Sequence, residues 1–151
     1  MTPRQKIYQR LKDEVISEIT LRGFTVFEHN WEGEIKRGSP LKFFRRERED
    51  EGFDLFDVQF DKYGDLKFVI NFGIAPAEGI TTSWGVFVPA DELTANDCRL
   101  FARTWPLKRW FRADTPKRLQ KSIGKVQAAI PAIDEWFRGG PLPASCYQKP
   151  V

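Results

Sequence analysis

Hydrophobic and polar residues alternate along residues 54–74, the most regular pattern in the chain. A period of two is typical of a β-strand that buries one face. Gly64 interrupts the pattern, so the stretch predicts a hairpin of two antiparallel strands. A three-residue loop, Lys62–Tyr63–Gly64, would pair Phe60 with Leu66, Val58 with Phe68 and Phe56 with Ile70, which keeps the apolar side chains on one face.

The opposite face of this hairpin carries polar side chains and is predicted to face solvent or a partner: Asp57, Gln59, Asp61, Lys67 and Asn71. We expect Gln59 to bond across to Lys67, and Arg45 of a preceding strand to pair with an acid such as Glu28. Asn71 and Gly73 are expected near a strand end, at a bulge or a close backbone approach.

Two segments have the spacing of amphipathic helices. In residues 3–22, Ile7, Leu11, Val15 and Ile19 recur at helical intervals. Residues 115–138 begin at Thr115, a good N-cap followed by proline, and Pro131 is expected to kink or break this helix. The late Trp136–Phe137 pair is expected to anchor it to the sheet.

Shorter patterns add strands at 24–28, 41–47 and 81–89, and a strand or helix at 97–104. Together the elements predict an α+β fold: an antiparallel sheet of about five strands with an N-terminal helix and a C-terminal helix packed on one face. We expect one domain over residues 1–140 and a C-terminal tail over 141–151.

Composition fits an ordinary globular domain, with 41% hydrophobic and 30% charged residues in 17.6 kDa. The sequence has no apolar run of membrane-spanning length and no signal-peptide pattern at its charged start. Two cysteines, Cys98 and Cys146, are too few for a disulfide framework, so a cytoplasmic location with reduced thiols is expected.

Charge is distributed unevenly although the formal net charge is only +3. Residues 47–65 hold eight acids and two bases, whereas residues 99–125 hold nine bases and one acid. This asymmetry could steer a charged partner, or the two segments could lie together in the fold and partly cancel.

The order of motifs resembles the DUF4304 family of bacterial domains of unknown function. The similarity covers most of the chain and is carried by short motifs such as "LKFFRRE", "FDVQFDKYGDLKFVINFGIAP" and "IPAIDEWF". Its matching positions are Gly23, Phe24, Phe44, Arg45, Gln59, Phe68, Asn71, Gly73, Ile74, Arg99, Trp110, Trp136 and Phe137. The resemblance implies the same architecture, and some proteins of this general build resemble immunity proteins of bacterial toxin systems.

The acidic hairpin offers the weak metal-ligand candidates Asp57, Asp61 and Asp65. The sequence Asp65-Leu66-Lys67 matches half of a restriction-type nuclease site. In such a site, carboxylates hold Mg²⁺ and a lysine activates water. The alternative is a solvated charged face. The single histidine, His29, and the two cysteines form no triad or zinc motif, so no catalytic residue and no cofactor is predicted.

Residues 99–125 interleave basic and aromatic side chains, which is typical of a surface that binds nucleic acid. The same pattern arises when the rings face the core and the basic side chains extend over them into solvent. We therefore expect a non-enzymatic protein-binding module, an immunity-like protein being one form of it. The alternatives are a metal-dependent hydrolase and nucleic-acid binding through residues 99–125. The binding candidates are Arg45, Gln59, Lys67, Asn71, Arg99, Arg103, Lys108, Arg109, Trp110 and Arg112. The oligomeric state stays open.

Overall fold

The computed structural model describes residues 2–27, 40–61, 63–95, 104–105, 110–143 and 147–148. The helical elements are α1 (Pro3–Leu11), a π-helical segment (Lys12–Ile16), α2 (Ser17–Leu21), a 3₁₀ turn (Ala90–Glu92) and α3 (Pro116–Phe137). The strands are β1 (Thr25–Phe27), β2 (Pro40–Glu47), β3 (Phe53–Phe60), β4 (Lys67–Ala75), β5 (Ile80–Thr81), β6 (Phe87–Val88), β7 (Thr104–Trp105), β8 (Phe111–Arg112) and β9 (Tyr147–Gln148).

The predicted α+β architecture is confirmed. Five antiparallel strands form a sheet in the order β1-β2-β3-β4-β8. The first helical stretch and α3 both pack on the face that carries Phe44, Phe56, Phe68 and Phe72. Trp136 and Phe137 contact Phe72 with ring centroids 5.3 and 6.2 Å away, as the sequence predicted.

The N-terminal helix is continuous from α1 through the π segment into α2. Its predicted stripe is buried, with Ile7, Leu11, Val15 and Ile19 each at most 2% exposed. These residues recur every fourth position, whereas an α-helix has about 3.6 residues per turn, so a purely α-helical stripe would drift around the helix. The π segment winds more slowly because its bonds reach one residue further, and it keeps the stripe facing the sheet.

Helix α3 does not break at Pro131, so of the two expected effects, a kink or a break, the break was wrong. The helix continues for six residues beyond this proline to Phe137. Pro131 lies on the exposed side of α3, where water can bond the carbonyl that loses its helical donor. On the opposite side, Ile130, Ile133 and Phe137 stay buried, and their packing holds both halves of the helix on the sheet.

The β3–β4 hairpin has the predicted apolar face but a different register. Phe60 pairs with Phe68, Val58 with Ile70 and Phe56 with Phe72, two positions from the expected pairing. Asp61 causes the difference because its carboxylate accepts the backbone N–H groups of Tyr63 and Asp65 and stabilises a longer loop. The Asp61 N–H donates to the Lys67 carbonyl and closes that loop.

The second face of the sheet is buried, so the prediction of a solvated polar face was wrong at its centre. Asp57 and Asn71 are both 0% exposed and Asp61 is 5% exposed. At one end of this face Leu55 and Ala75 pack with Ala90, Leu93 and Ala95 in a second apolar cluster. The chain after β4 therefore folds back over a face whose alternating pattern suggested solvent.

Residues 81–89 do not add a strand to the main sheet. A tight turn begins at Thr82, directly after β5. The Thr82 hydroxyl accepts the Val86 N–H, the Thr82 N–H donates to the Val86 carbonyl, and the Thr82 carbonyl accepts the Gly85 N–H. Among the described strands, β5 and β6 pair with each other alone, and β8 supplies the fifth strand of the main sheet instead. The segment predicted at 97–104 lies outside the described residues except for Thr104, which begins β7.

An ion network joins the end of the N-terminal helix, β2, β3 and α3. Arg46 lies 2.8 Å from Asp134 and 2.9 Å from Asp54, and it donates to the Arg22 carbonyl at 2.8 Å. Arg22 bonds the other oxygen of Asp134 at 2.8 Å. Burial opposes ionisation of Asp134, but hydrogen bonds from Arg46 and Arg22 outweigh it and lower the pKa of this carboxyl group.

Among the described residues, no helix combines the length and the apolar character required to cross a bilayer.

We expect Asp134→Asn to lower the free energy of unfolding by about 2 kcal/mol at neutral pH, because Arg22 and Arg46 each lose a charged hydrogen-bond partner while Asp54 still pairs with Arg46. Because the pKa of Asp134 is lower in the folded protein, the ionised carboxylate stabilises the fold fully above the pKa of the unfolded state, about 3.9. This stabilisation is lost as the pH falls through the pKa of the folded state. Urea unfolding from pH 7 to pH 2 should therefore show a shallower acid decline in the variant. Asp91→Asn, at an exposed carboxylate, is the control; identical acid slopes in wild type and Asp134→Asn would contradict the assignment.

Gly52 and Gly124 provide a matched pair of glycine-to-alanine changes. A Cβ at Gly52 would lie 2.4 Å from the Ala75 carbonyl oxygen, whereas one at Gly124 in α3 would meet no atom within 4 Å. We expect Gly52→Ala to destabilise by about 1–3 kcal/mol through overpacking. Gly124→Ala should stabilise by about 0.5–1 kcal/mol through helix propensity. Thermal and urea unfolding measure the stability of both variants. A stability change of the same sign in the two variants would be inconsistent with the close contact between Gly52 and the Ala75 carbonyl.

Candidate functional site

A buried amide–carboxylate cluster lies at the centre of the second sheet face. Asp57 and Asn71 are directly opposite each other in the β3–β4 ladder. The Asn71 Nδ2 donates to Asp57 Oδ1 at 2.7 Å and to Gln59 Oε1 at 3.1 Å. These two acceptors fix the orientation of the Asn71 amide, whose buried Oδ1 accepts no hydrogen bond within the part of the chain that the structure describes.

This cluster corrects three expectations about the hairpin. Gln59 lies opposite Val69 and bonds Asn71, not Lys67. Asn71 and Gly73 lie within β4 and continue its ladder without a register shift, so they mark no bulge. Because Asp57 and Asn71 are closed off from solvent and bond each other, these two side chains order the sheet and are not accessible to a partner, whereas Gln59 is half-buried.

The three candidate metal ligands do not converge. Asp57 bonds Asn71 inside the sheet, while Asp61 lies four residues along β3, about 13 Å away. Asp61 caps the hairpin loop, and Asp65 has a side chain 74% exposed, 3.8 Å from Lys67 Nζ. Within the described ranges, no three His, Cys, Asp or Glu side chains form a group able to hold a metal ion.

Arg45 is engaged on the second face, away from the other candidates. Its guanidinium lies over the rings of Phe27 and Phe53 at 4.8 and 4.7 Å, and it donates to the Asp91 carbonyl at 3.2 Å. These contacts fasten the 3₁₀ turn to the sheet. The expected acid partner Glu28 lies outside the described residues.

Three binding candidates do come together at the β8 edge. Lys67 lies opposite Arg112 in the β4–β8 ladder, and the Lys67 ammonium group lies 5.4 Å from the centre of the Trp110 ring. Trp110 is 38% exposed and Arg112 is exposed. A depression of about 650 Å³ is lined by these three residues with Asp65, Leu66 and Asp114.

Helix α3 extends this cationic region. A second depression, of about 260 Å³, is lined by Trp110, Arg112 and three basic side chains of α3: Arg118, Lys121 and Lys125. We call Lys67, Trp110, Arg112, Arg118, Lys121 and Lys125 the basic-aromatic surface. These α3 cations belong to the basic segment 99–125 but were not among the predicted binding residues, although positions 118, 121 and 125 have the spacing of one helix face.

An apolar groove adjoins the basic-aromatic surface. It lies between α1 and the start of α3, has a volume of about 580 Å³, and is lined mainly by Pro3, Ile7, Leu66, Ala113, Pro116 and Leu119. Leu66 and Asp114 line both this groove and the 650 Å³ depression. The groove and the basic-aromatic surface are therefore continuous, and no sequence pattern predicted the groove.

The acidic and basic regions occupy opposite ends of β4. The acidic β2–β3 turn, with Glu47, Glu49 and Asp50 exposed, is near the Ala75 end, whereas β8 pairs at the Lys67 end. Eight residues of strand separate these ends by about 27 Å. The turn acids therefore do not neutralise the basic-aromatic surface. The candidates Arg99, Arg103, Lys108 and Arg109 lie outside the described residues.

Comparison with known proteins identifies a family and supplies no named relative. No curated protein and no solved structure matches the chain. The family model described as a domain of unknown function, DUF4304, matches residues 37–139, which run from just before β2 to just past α3. The match covers about two thirds of the 151 residues and includes the strands and helix that build the basic-aromatic surface. The chain therefore belongs to the DUF4304 family.

Proposed function

We propose that this protein is a non-enzymatic binding module that recognises an acidic surface of a protein partner through the basic-aromatic surface. The observation that carries the proposal is the convergence of Lys67, Arg112 and the α3 cations around a partly exposed tryptophan. Aromatic and arginine side chains are the residues most enriched among strong contributors to protein interfaces.

A protein partner fits this surface better than a nucleic acid does. Two acids lie among the cations: Asp65 is 3.8 Å from Lys67, and Asp114 pairs with Arg118 at 2.6 Å. Both carboxylates accept hydrogen bonds, and an acidic protein segment has backbone N–H donors for them, whereas a phosphate backbone presents only anionic oxygens there. Lys67 also lies near the Trp110 ring, which limits the faces on which a base could stack.

The hairpin geometry favours binding over metal-dependent hydrolysis. A hydrolytic metal site needs carboxylates that meet around one ion and leave room for water. Here Asp57 is buried against Asn71, Asp61 binds backbone N–H groups, and Asp65 extends into solvent beside Lys67.

An immunity-like protein is the more specific form of this proposal. Such a protein would bind and mask a toxin encoded by a neighbouring gene, and the basic-aromatic surface would then face an acidic region of that toxin. Co-expression with the product of the adjacent gene tests this form: a stable complex that Lys121→Glu weakens supports it, and the absence of any complex contradicts it.

The binding surface itself can be tested with a short peptide of alternating glutamate and glycine. In a ¹⁵N-labelled sample at low salt, we expect shift changes concentrated at the backbone amides of the basic-aromatic surface and at the Trp110 indole. Lys121→Glu should weaken this binding about tenfold, because it replaces an attraction by a repulsion at the interface. Added salt should weaken it further.

Lys12→Glu is the matched control, since Lys12 is an exposed lysine of the N-terminal helix and the change alters the net charge equally. It should leave peptide binding nearly unchanged. Equal losses in the two variants would indicate an effect of net charge alone and would contradict a defined surface. Tighter binding of oligo-dT than of the acidic peptide would replace the proposal by nucleic-acid binding.

A further inference from the structure

The apolar groove adds a second chemical requirement to the proposed partner. We propose that the groove takes an apolar side chain from the same acidic segment that binds the basic-aromatic surface, so that the partner presents an apolar anchor flanked by carboxylates. This inference rests on the proposed function and specifies the partner's chemistry.

The walls of the groove are ordered by contacts that do not involve a ligand. Ile7 and Leu119 are buried at 2% and 7% exposure on its two sides. Arg10 Nη2 donates to Gln120 Oε1 at 2.7 Å and connects the two helices. The Ala113 N–H donates to the Leu66 carbonyl at 2.9 Å, which fixes the base of the groove. A prearranged apolar pocket binds an anchor with little ordering of the protein.

The size of the groove suits an anchor side chain. Its volume of about 580 Å³ lies within the range of pockets that enclose a drug-sized ligand, so it has room for an aromatic or branched side chain. Apolar anchors that fill such pockets dominate the affinity of many protein interfaces, while charged contacts around them set orientation and association rate.

Charge at the rim selects an acidic segment. Lys6 and Arg10 line the α1 side of the groove, where Arg10 also pairs with Glu14, and among the described lining residues the one acid, Asp114, pairs with Arg118. The shared residues Leu66 and Asp114 join the groove to the depression beneath Lys67, Trp110 and Arg112. A segment with its anchor in the groove would therefore have cations on both sides.

Two peptides of equal charge separate the anchor from the electrostatic contact. The first is the glutamate–glycine peptide, and the second replaces one central glycine by tryptophan. Each carries a fluorescein label, and anisotropy measures its affinity. We expect the tryptophan peptide to bind the wild-type protein about tenfold more tightly, the effect of burying one apolar side chain.

Gln9→Trp tests the location of the anchor, because Gln9 is an exposed residue at the edge of the groove and a larger side chain there would fill it. The variant should abolish the advantage of the tryptophan peptide and retain binding of the glutamate–glycine peptide. Thr20→Trp, at an exposed position of α2 outside the groove, should keep that advantage. Circular dichroism confirms that both variants fold.

The outcomes distinguish this inference from the proposed function. The groove is not the anchor site if both peptides bind with equal affinity, or if Gln9→Trp still binds the tryptophan peptide more tightly. Either result leaves the proposed binding by the basic-aromatic surface in place. If neither peptide binds, both proposals fail. If decanoate, an acyl carboxylate, displaces the anchor and binds more tightly than the tryptophan peptide, the groove is a small-molecule site and the inference is overturned.

Discussion

The register of the β3–β4 ladder determines which side chains meet on both faces of the sheet. On one face it aligns Phe56 with Phe72 under the helices, and on the other it aligns Asp57 with Asn71. A slip of one residue would exchange the two faces and place buried polar groups against the helices. The helical layer, the second apolar cluster and the amide–carboxylate pair all depend on this one alignment.

The ion network adds a constraint of a different kind. Arg46 extends from the helix-facing side of β2, with its guanidinium 4.5 Å from the Phe24 ring, and reaches carboxylates on β3 and α3. Hydrophobic contact alone allows neighbouring helices and sheets to slide, whereas charged hydrogen bonds are directional and require defined positions. Asp134 therefore restricts how α3 can move along the sheet, although its net contribution to stability is smaller than its number of contacts suggests.

The sequence predicted which elements form and which apolar residues are buried, because period and capping are local properties. The stripe from Ile7 to Ile19 and the apolar face of the hairpin follow from spacing alone. The register did not follow, since a slip of two residues preserves both faces and alternation does not show the loop bonds that Asp61 makes in the observed register. Burial of Asp57 was also hidden, because alternation cannot show whether a polar face is covered by a later part of the chain. The basic-aromatic surface was predicted in part: its cations are evident in the sequence, but the position of Lys67 opposite Arg112 arises only from the pairing of β4 with β8.

The longer hairpin loop also determines what Leu66 can do. In the three-residue loop Leu66 would pair with Phe60 inside the ladder; in the observed loop it lies outside β4 and lines both the groove and the adjoining depression. A chain two residues shorter at this point could keep every strand residue on its present face and yet lose the junction between the groove and the basic-aromatic surface. The length of this loop can therefore determine whether the two surface regions are continuous while the helices and the sheet stay intact.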